Sequence, residues 1–197
     1  MSKELLMKKV ILLITILFVS AISTACINNL AVQDLNAKAM EYMKAGDTEK
    51  AVCRLRSSID LDNSIYETHY NLGVALVELK EYDEAQKSLE NAINLKPDFA
   101  DTYYSLAVAL QEQVNELENP KKAESDELTS EQPAGITPAK TELSADTKKE
   151  ITQKLGMAID NYNKYLARKP DAKDKEKVVE QIGVLSNEMK KYNTALE

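Results

Sequence analysis

The chain has 197 residues, a net charge of −7 and no Trp. That length fits one modest folded domain, and the acidic balance excludes nucleic acid as a partner, because neutralising phosphates needs clustered Lys and Arg. Only five Gly occur, which leaves little material for a catalytic or phosphate-cradling loop.

In chain order, the first feature is a basic start, with Lys3, Lys8 and Lys9, followed by an uncharged and mostly aliphatic run from Val10 to Ile22. This is the pattern of an export signal over residues 1–25. The run ends Ser23-Thr24-Ala25-Cys26, which resembles the lipobox of bacterial lipoproteins. The resemblance implies cleavage before Cys26, a lipid on its thiol, and a membrane-anchored place in the bacterial cell envelope. Ser23 departs from the usual Leu, and Ser-Thr-Ala also fits an ordinary signal-peptidase site that releases a secreted or periplasmic chain. A retained anchor is the third fate, since Val10 to Val32 carries no charge and about 20 residues span a bilayer. Asn28 and Asn29 count against it.

From Leu30 to Ala45, Leu35, Ala39 and Tyr42 recur at helical spacing before Ala45-Gly46-Asp47 interrupts them. A second helix is expected from about Thr48 to Leu61, with Ala51, Leu55, Ser58 and Ile59 on one face. Asp62-Asn63-Ser64 ends it and is placed to cap the next helix. Tyr66 to Leu79 and Tyr82 to Leu95 form a clearer pair, stopped by Pro97. The two windows opening at Val32 and Tyr66 agree in phase: Leu35 with His69, Ala39 with Gly73, Tyr42 with Leu76, Ala51 with Ala85, Leu55 with Leu89, and Ile59 with Ile93.

On those residues the segment Tyr66 to Phe99 resembles the tetratricopeptide (TPR) repeat family along its full length. Leu72-Gly73, Tyr82, Ala85, Ala92 and Pro97 stand where that family places its signature residues. The resemblance implies an all-α, short right-handed α-solenoid of about three TPR helix-turn-helix units. Residues 30–65 form the first and weaker unit, with Asn63 where Pro is common, and 66–99 form the second. The third, 100–170, starts with Tyr103, Leu106, Ala107 and Leu110 and then loses register. Residues 119–149 are polar and acidic with three prolines, and read as a disordered insert. Register resumes at Ile151, with Leu155, Ala158, Ile159, Tyr162, Tyr165 and Leu166 leading to Pro170. Within 171–197, Val178, Ile182, Leu185, Met189, Tyr192 and Leu196 mark an amphipathic helix that caps the open end. The same spacing also allows a short coiled coil between chains, hence self-association.

No cofactor, metal site or catalytic constellation emerges, and an enzyme is not expected. His69, the only histidine, has no neighbouring ligand spacing and reads as a packing residue. With Cys26 lipidated, Cys53 is the one thiol left; it reads as a partly buried packing residue, or else as the site of an intermolecular disulfide. What remains is surface. The family's inner wall comes from the first helix of each pair, here Asn36, Met40, Met43, Tyr70, Val74, Val77, Glu78, Tyr104, Val108 and Gln111. This wall either grips a partner or packs upon itself. The family's clamp for chaperone C-termini needs Lys, Arg and Asn at such places, and Tyr70, Val74 and Val108 do not supply them. The expectation is a non-enzymatic scaffold for a protein or peptide with apolar side chains, with self-assembly or service as an accessory subunit of an envelope enzyme or secretion complex as alternatives.

Overall fold

The computed structural model describes residues 3–119 and 143–194, and all the regular structure among them is helical. The helices are α1 (Lys3–Lys44), α2 (Thr48–Leu61), α3 (Tyr66–Glu78), α4 (Tyr82–Leu95), α5 (Ala100–Glu118), α6 (Ala145–Arg168) and α7 (Lys175–Thr194). Each packs chiefly on its sequence neighbours, and α3 also touches α5. That is the contact pattern of stacked hairpins, in which every unit leans on the one before it.

Small residues make the close packing possible. Ala39 and Ala107 in the first helices, and Ala51, Ala85 and Ala158 in the second, are fully buried. Gly73 stands in register with Ala39 and Ala107 and shows why bulk is limited there. A Cβ added to it would lie 2.5 Å from Leu89 Cγ and 3.3 Å from the Ala85 carbonyl oxygen. Leu55, Leu76, Leu89, Leu110 and Leu155 fill the spaces between and are wholly buried, each contributing roughly 1.5–3 kcal/mol by area.

The turns repeat as faithfully as the helices. Gly46 adopts φ 77° after α1, and Lys80, its counterpart after α3, adopts φ 63°. The left-handed conformation suits Gly and costs other residues about 1–2 kcal/mol. At the next junction the expected capping by Asp62-Asn63-Ser64 does not form. The residue before α3 is Ile65, which has no side-chain cap bond. Asp62 instead turns back on its own loop, accepting from Ser64 N at 2.9 Å and from Ser64 Oγ at 2.6 Å. Those bonds hold its carboxyl below the ordinary range.

Three further expectations meet the structure at their edges. The first helix of the solenoid does not start near Leu30, because α1 is unbroken from Lys3; the side chains of the expected lipobox, residues 23–26, lie outside those described. Among the described residues no helix is long and apolar enough to cross a membrane. The acidic insert falls, from Pro120 to Glu142, outside the described residues, but its expected end at Lys149 is too late. Ser144 Oγ accepts from Thr147 N at 3.1 Å and starts α6 at Ala145, an N-cap that satisfies an otherwise orphan amide.

The third hairpin is longer than its predecessors. Helix α5 runs 19 residues against 13 in α3, and α6 runs 24 against 14 in α4. The added turns are packed: Val114 and Ile151 are buried, and Leu117 and Leu143 lie half-buried against the same core. Gln113, also buried, donates to Asp83 Oδ1 at 2.8 Å and accepts from Lys154 Nζ at 3.0 Å, tying α4, α5 and α6 together.

The heptad residues of the last helix are spent within the chain. Val178, Leu185 and Tyr192 are buried and Ile182 and Met189 partly so, in the core shared with α6. The coiled-coil seam is therefore already covered, whereas Leu196 falls outside the described residues.

Candidate partner-binding surface

The expected wall residues lie on α1, α3 and α5, which pack against α2, α4 and α6. Of the ten expected wall residues, Met40 and Tyr104 are exposed at 39% and 37%, and Glu78 is exposed as well. Met43, Tyr70, Val77 and Val108 are partly buried and rest against the core; Val74 is half-buried.

Asn36 and Gln111 have other work. Asn36 Nδ2 donates to Ser58 Oγ at 3.1 Å and to Thr68 Oγ1 at 2.9 Å, joining α1 to α2 and α3. Gln111 Oε1 accepts from the Tyr162 hydroxyl at 3.3 Å and from Gln181 Nε2 at 2.9 Å, joining α5 to α6 and α7. Both residues are cross-helix ties rather than free wall.

The register explains why the wall changes along the solenoid. Asn36 corresponds to Tyr70 and Tyr104, and Ser58 to Ala92 and Tyr165. The first pair is a polar tie. In the second, Ala92 is small where Tyr70 is large, and the Tyr70 ring stands edge-on to Phe99 at 5.1 Å. The third is ring upon ring, with Tyr104 at 5.3 Å from Tyr165 and 5.6 Å from Tyr162. Thr68 corresponds to Thr102, which keeps its hydroxyl after the polar partners have gone; Thr102 Oγ1 is buried without a hydrogen-bond partner.

Burial governs the tyrosine chemistry at this end. Desolvation pushes the Tyr162 phenol well above its ordinary value. The Tyr165 phenol is pushed up to about 12, first by desolvation and then by its 2.8 Å bond to Asp174. These hydroxyls stay protonated at neutral pH and serve as donors. Phe99, Tyr162, Tyr165 and Gln181 were not assigned to the wall from the sequence. Phe99 follows a loop proline, and the two tyrosines sit on the apolar face of a second helix, so no first-helix periodicity points to them.

His69 is buried as a packing residue, with Nε2 at 2.8 Å from the Asn63 carbonyl oxygen. Cys53 is a correction, because its thiol is exposed. Helix α2 buries Ala51, Val52, Leu55 and Ser58, and Cys53 sits about 200° round the helix from Ala51. Among the described residues no group of three or more His, Cys, Asp or Glu is placed to hold a metal ion.

Stacked helix pairs, each leaning on the one before it, define an α-solenoid. Residues 75–114 match the family model of the TPR repeat, and the fold is that of a TPR-type solenoid. It is similar to the first TPR domain of human RPAP3, at TM-score 0.58 and 16% identity over 81% of this chain and 95% of that one. It is also similar to the Arabidopsis OM64 TPR domain, at TM-score 0.56 and 15% identity over 79% and 96%. The second TPR domain of human RPAP3, solved in complex with an HSP70 peptide, aligns at TM-score 0.55 and 15% identity over 79% and 98%. No curated protein matches the sequence.

Proposed function

We propose that this protein is a non-enzymatic scaffold of the bacterial cell envelope, exported and anchored through lipid on Cys26, which captures a protein or peptide on its inner wall. The observation that carries the reading is the pair of exposed apolar side chains, Met40 and Tyr104, on first helices whose other faces are locked in the core. A flexible thioether and an aromatic ring suit apolar side chains of a partner segment. Support for a protein ligand also comes from the similar RPAP3 domains, one solved with an HSP90 peptide and another with an HSP70 peptide. The ligand here is of another kind, since Tyr70, Val74 and Val108 provide no cations for a terminal carboxylate.

Export and lipidation rest on the basic start, the uncharged run and Ala25-Cys26. The test has two arms. Proteins cross-linked to the membrane-bound chain are identified, and their capture is compared with Met40→Ala and Tyr104→Ala. Loss of capture with unchanged helical content supports the wall, and undiminished capture by both variants removes it. Incorporation of labelled fatty acid that disappears in Cys26→Ser supports lipidation; equal incorporation in both refutes it.

A further inference from the structure

The unbroken α1 sets the direction of the whole solenoid relative to whatever holds its N-terminal arm. Met7 and Val10 to Ile14 are exposed on the arm, and Val32 is the first buried residue among those described. Cys26 is four residues from Leu30, or about 6 Å at helical rise. A lipid on Cys26 and a retained arm therefore place a bilayer at the same end. Since successive helices alternate in direction, α1, α3, α5 and α7 run away from that end, and α2, α4 and α6 return to it.

The junctions α2–α3, α4–α5 and α6–α7 consequently share the arm's end and adjoin one another. Lys96 Nζ donates to Tyr66 OH at 3.1 Å, and Arg168 Nε donates to the Pro97 carbonyl oxygen at 2.8 Å. The last residues of α2 and α4, Leu61 and Leu95, occupy the same register position and are 44% and 43% exposed; Leu30 is 69% exposed. Beside them Lys96 lies 4.3 Å over the Tyr66 ring, and Arg168 lies 4.1 Å over the Tyr103 ring. Exposed leucines beside long cations that lie over aromatic rings combine apolar and polar groups on one edge, as interfacial segments do.

We infer that the edge bearing Leu30, Leu61 and Leu95 lies against the lipid bilayer, so that the inner wall opens sideways, along the membrane plane. The inference rests on the membrane attachment proposed above. Along this edge Asp62, Asp98, Asp101, Asp171 and Asp174 outnumber Lys96, Arg168, Lys169 and Lys173, with Asp101 2.9 Å from Lys169. Its contact with lipid is thus apolar rather than electrostatic. A partner reaches the wall laterally, close to the same membrane, and α5 ends and α6 starts at the opposite end.

The absence of Trp from the chain gives the test a clean probe. The full-length protein carrying Leu61→Trp, Leu95→Trp or Lys44→Trp is reconstituted into phosphatidylcholine vesicles with brominated acyl chains and floated. Flotation with severalfold quenching at positions 61 and 95, none at 44, and no change in high salt is the expected result. Flotation with no quenching at 61 and 95 overturns the edge while leaving attachment intact. Equal quenching at 44 overturns the upright orientation, and quenching abolished by salt overturns the apolar contact. Failure to float removes attachment and the edge together. The substituted leucines are exposed, and far-UV circular dichroism confirms that each variant is folded.

Discussion

Thr68 and Thr102 occupy one register position and differ only in what surrounds them, which makes them a controlled experiment built into the chain. Both are fully buried. Thr68 Oγ1 accepts from Asn36 at 2.9 Å and sits 3.5 Å from Ser58 Oγ, whereas Thr102 Oγ1 has no partner. Valine keeps the shape and deletes the hydroxyl. At Thr68 the change strips one of three acceptors from the half-buried Asn36 amide, a loss of about 1 kcal/mol. At Thr102 it removes an orphan hydroxyl whose desolvation costs about 1–3 kcal/mol, so a gain of about 1–2 kcal/mol is expected. For a chain of this size 1 kcal/mol moves Tm by roughly 2–4 °C. Thermal and urea unfolding of the two variants should therefore move in opposite directions. Equal destabilisation by both would refute the argument, because it would mean that the second site satisfies its hydroxyl as well as the first does.

The turn positions give a second opposed pair. Gly46→Ala should lose about 1 kcal/mol and Lys80→Gly should gain up to about 1 kcal/mol, because both positions hold positive φ and only Gly adopts it freely. Urea midpoints at constant slope decide this. Gly73→Ala drives a Cβ to 2.5 Å from Leu89, and overpacking of about 1–3 kcal/mol exceeds the helix-propensity gain of about 1 kcal/mol. A net loss of stability is expected by thermal unfolding, and in a Leu89→Ala background, itself destabilised by the lost leucine, the added cost of Gly73→Ala should vanish. The last prediction concerns pH. Desolvation, and then the neighbouring Glu118 carboxylate, raise the Glu188 carboxyl above its ordinary 4.5. Desolvation, then Asp83 and Glu112, raise Glu116. A raised folded value means that the native state holds the proton more tightly. Stability from these groups is fully present below pH about 4.5 and is lost as pH rises through their folded values. Glu188→Gln should flatten the fall in Tm between mildly acidic and neutral pH, and an unaltered slope would count against the Glu118–Glu188 contact.

The hairpin phase was legible because its determinants are steric. A small residue is required wherever two helices approach, so Ala39, Gly73 and Ala107 repeat, as do Ala51, Ala85 and Ala158. The fate of polar wall residues was not legible. Asn36 and Gln111 have first-helix spacing suited to a ligand, but a side-chain amide on that face also reaches the neighbouring helices, and periodicity does not distinguish the two. Cys53 was misplaced for a related reason: a small apolar residue between buried neighbours looks buried until the helix angle is followed. The start of α6 carried a readable signal, Ser144 followed by Asp146 and Thr147, which the acidic composition around it obscured.

The third hairpin shows how a repeat absorbs a long interruption at its own turn. The interruption lies between α5 and α6, the two helices of one hairpin, which must still find each other. Extending both helices supplies the contacts that do this, with Val114 and Ile151 buried and Gln113 bonded to Asp83 and Lys154. Loop-closure entropy rises only slowly with length, by about 0.6 kcal/mol per doubling, so two added buried aliphatic residues at roughly 1.5–3 kcal/mol each are more than sufficient compensation. The added turns lie at the end of the solenoid away from Leu61 and Leu95. Growth there leaves the three adjoining junctions at the other edge undisturbed.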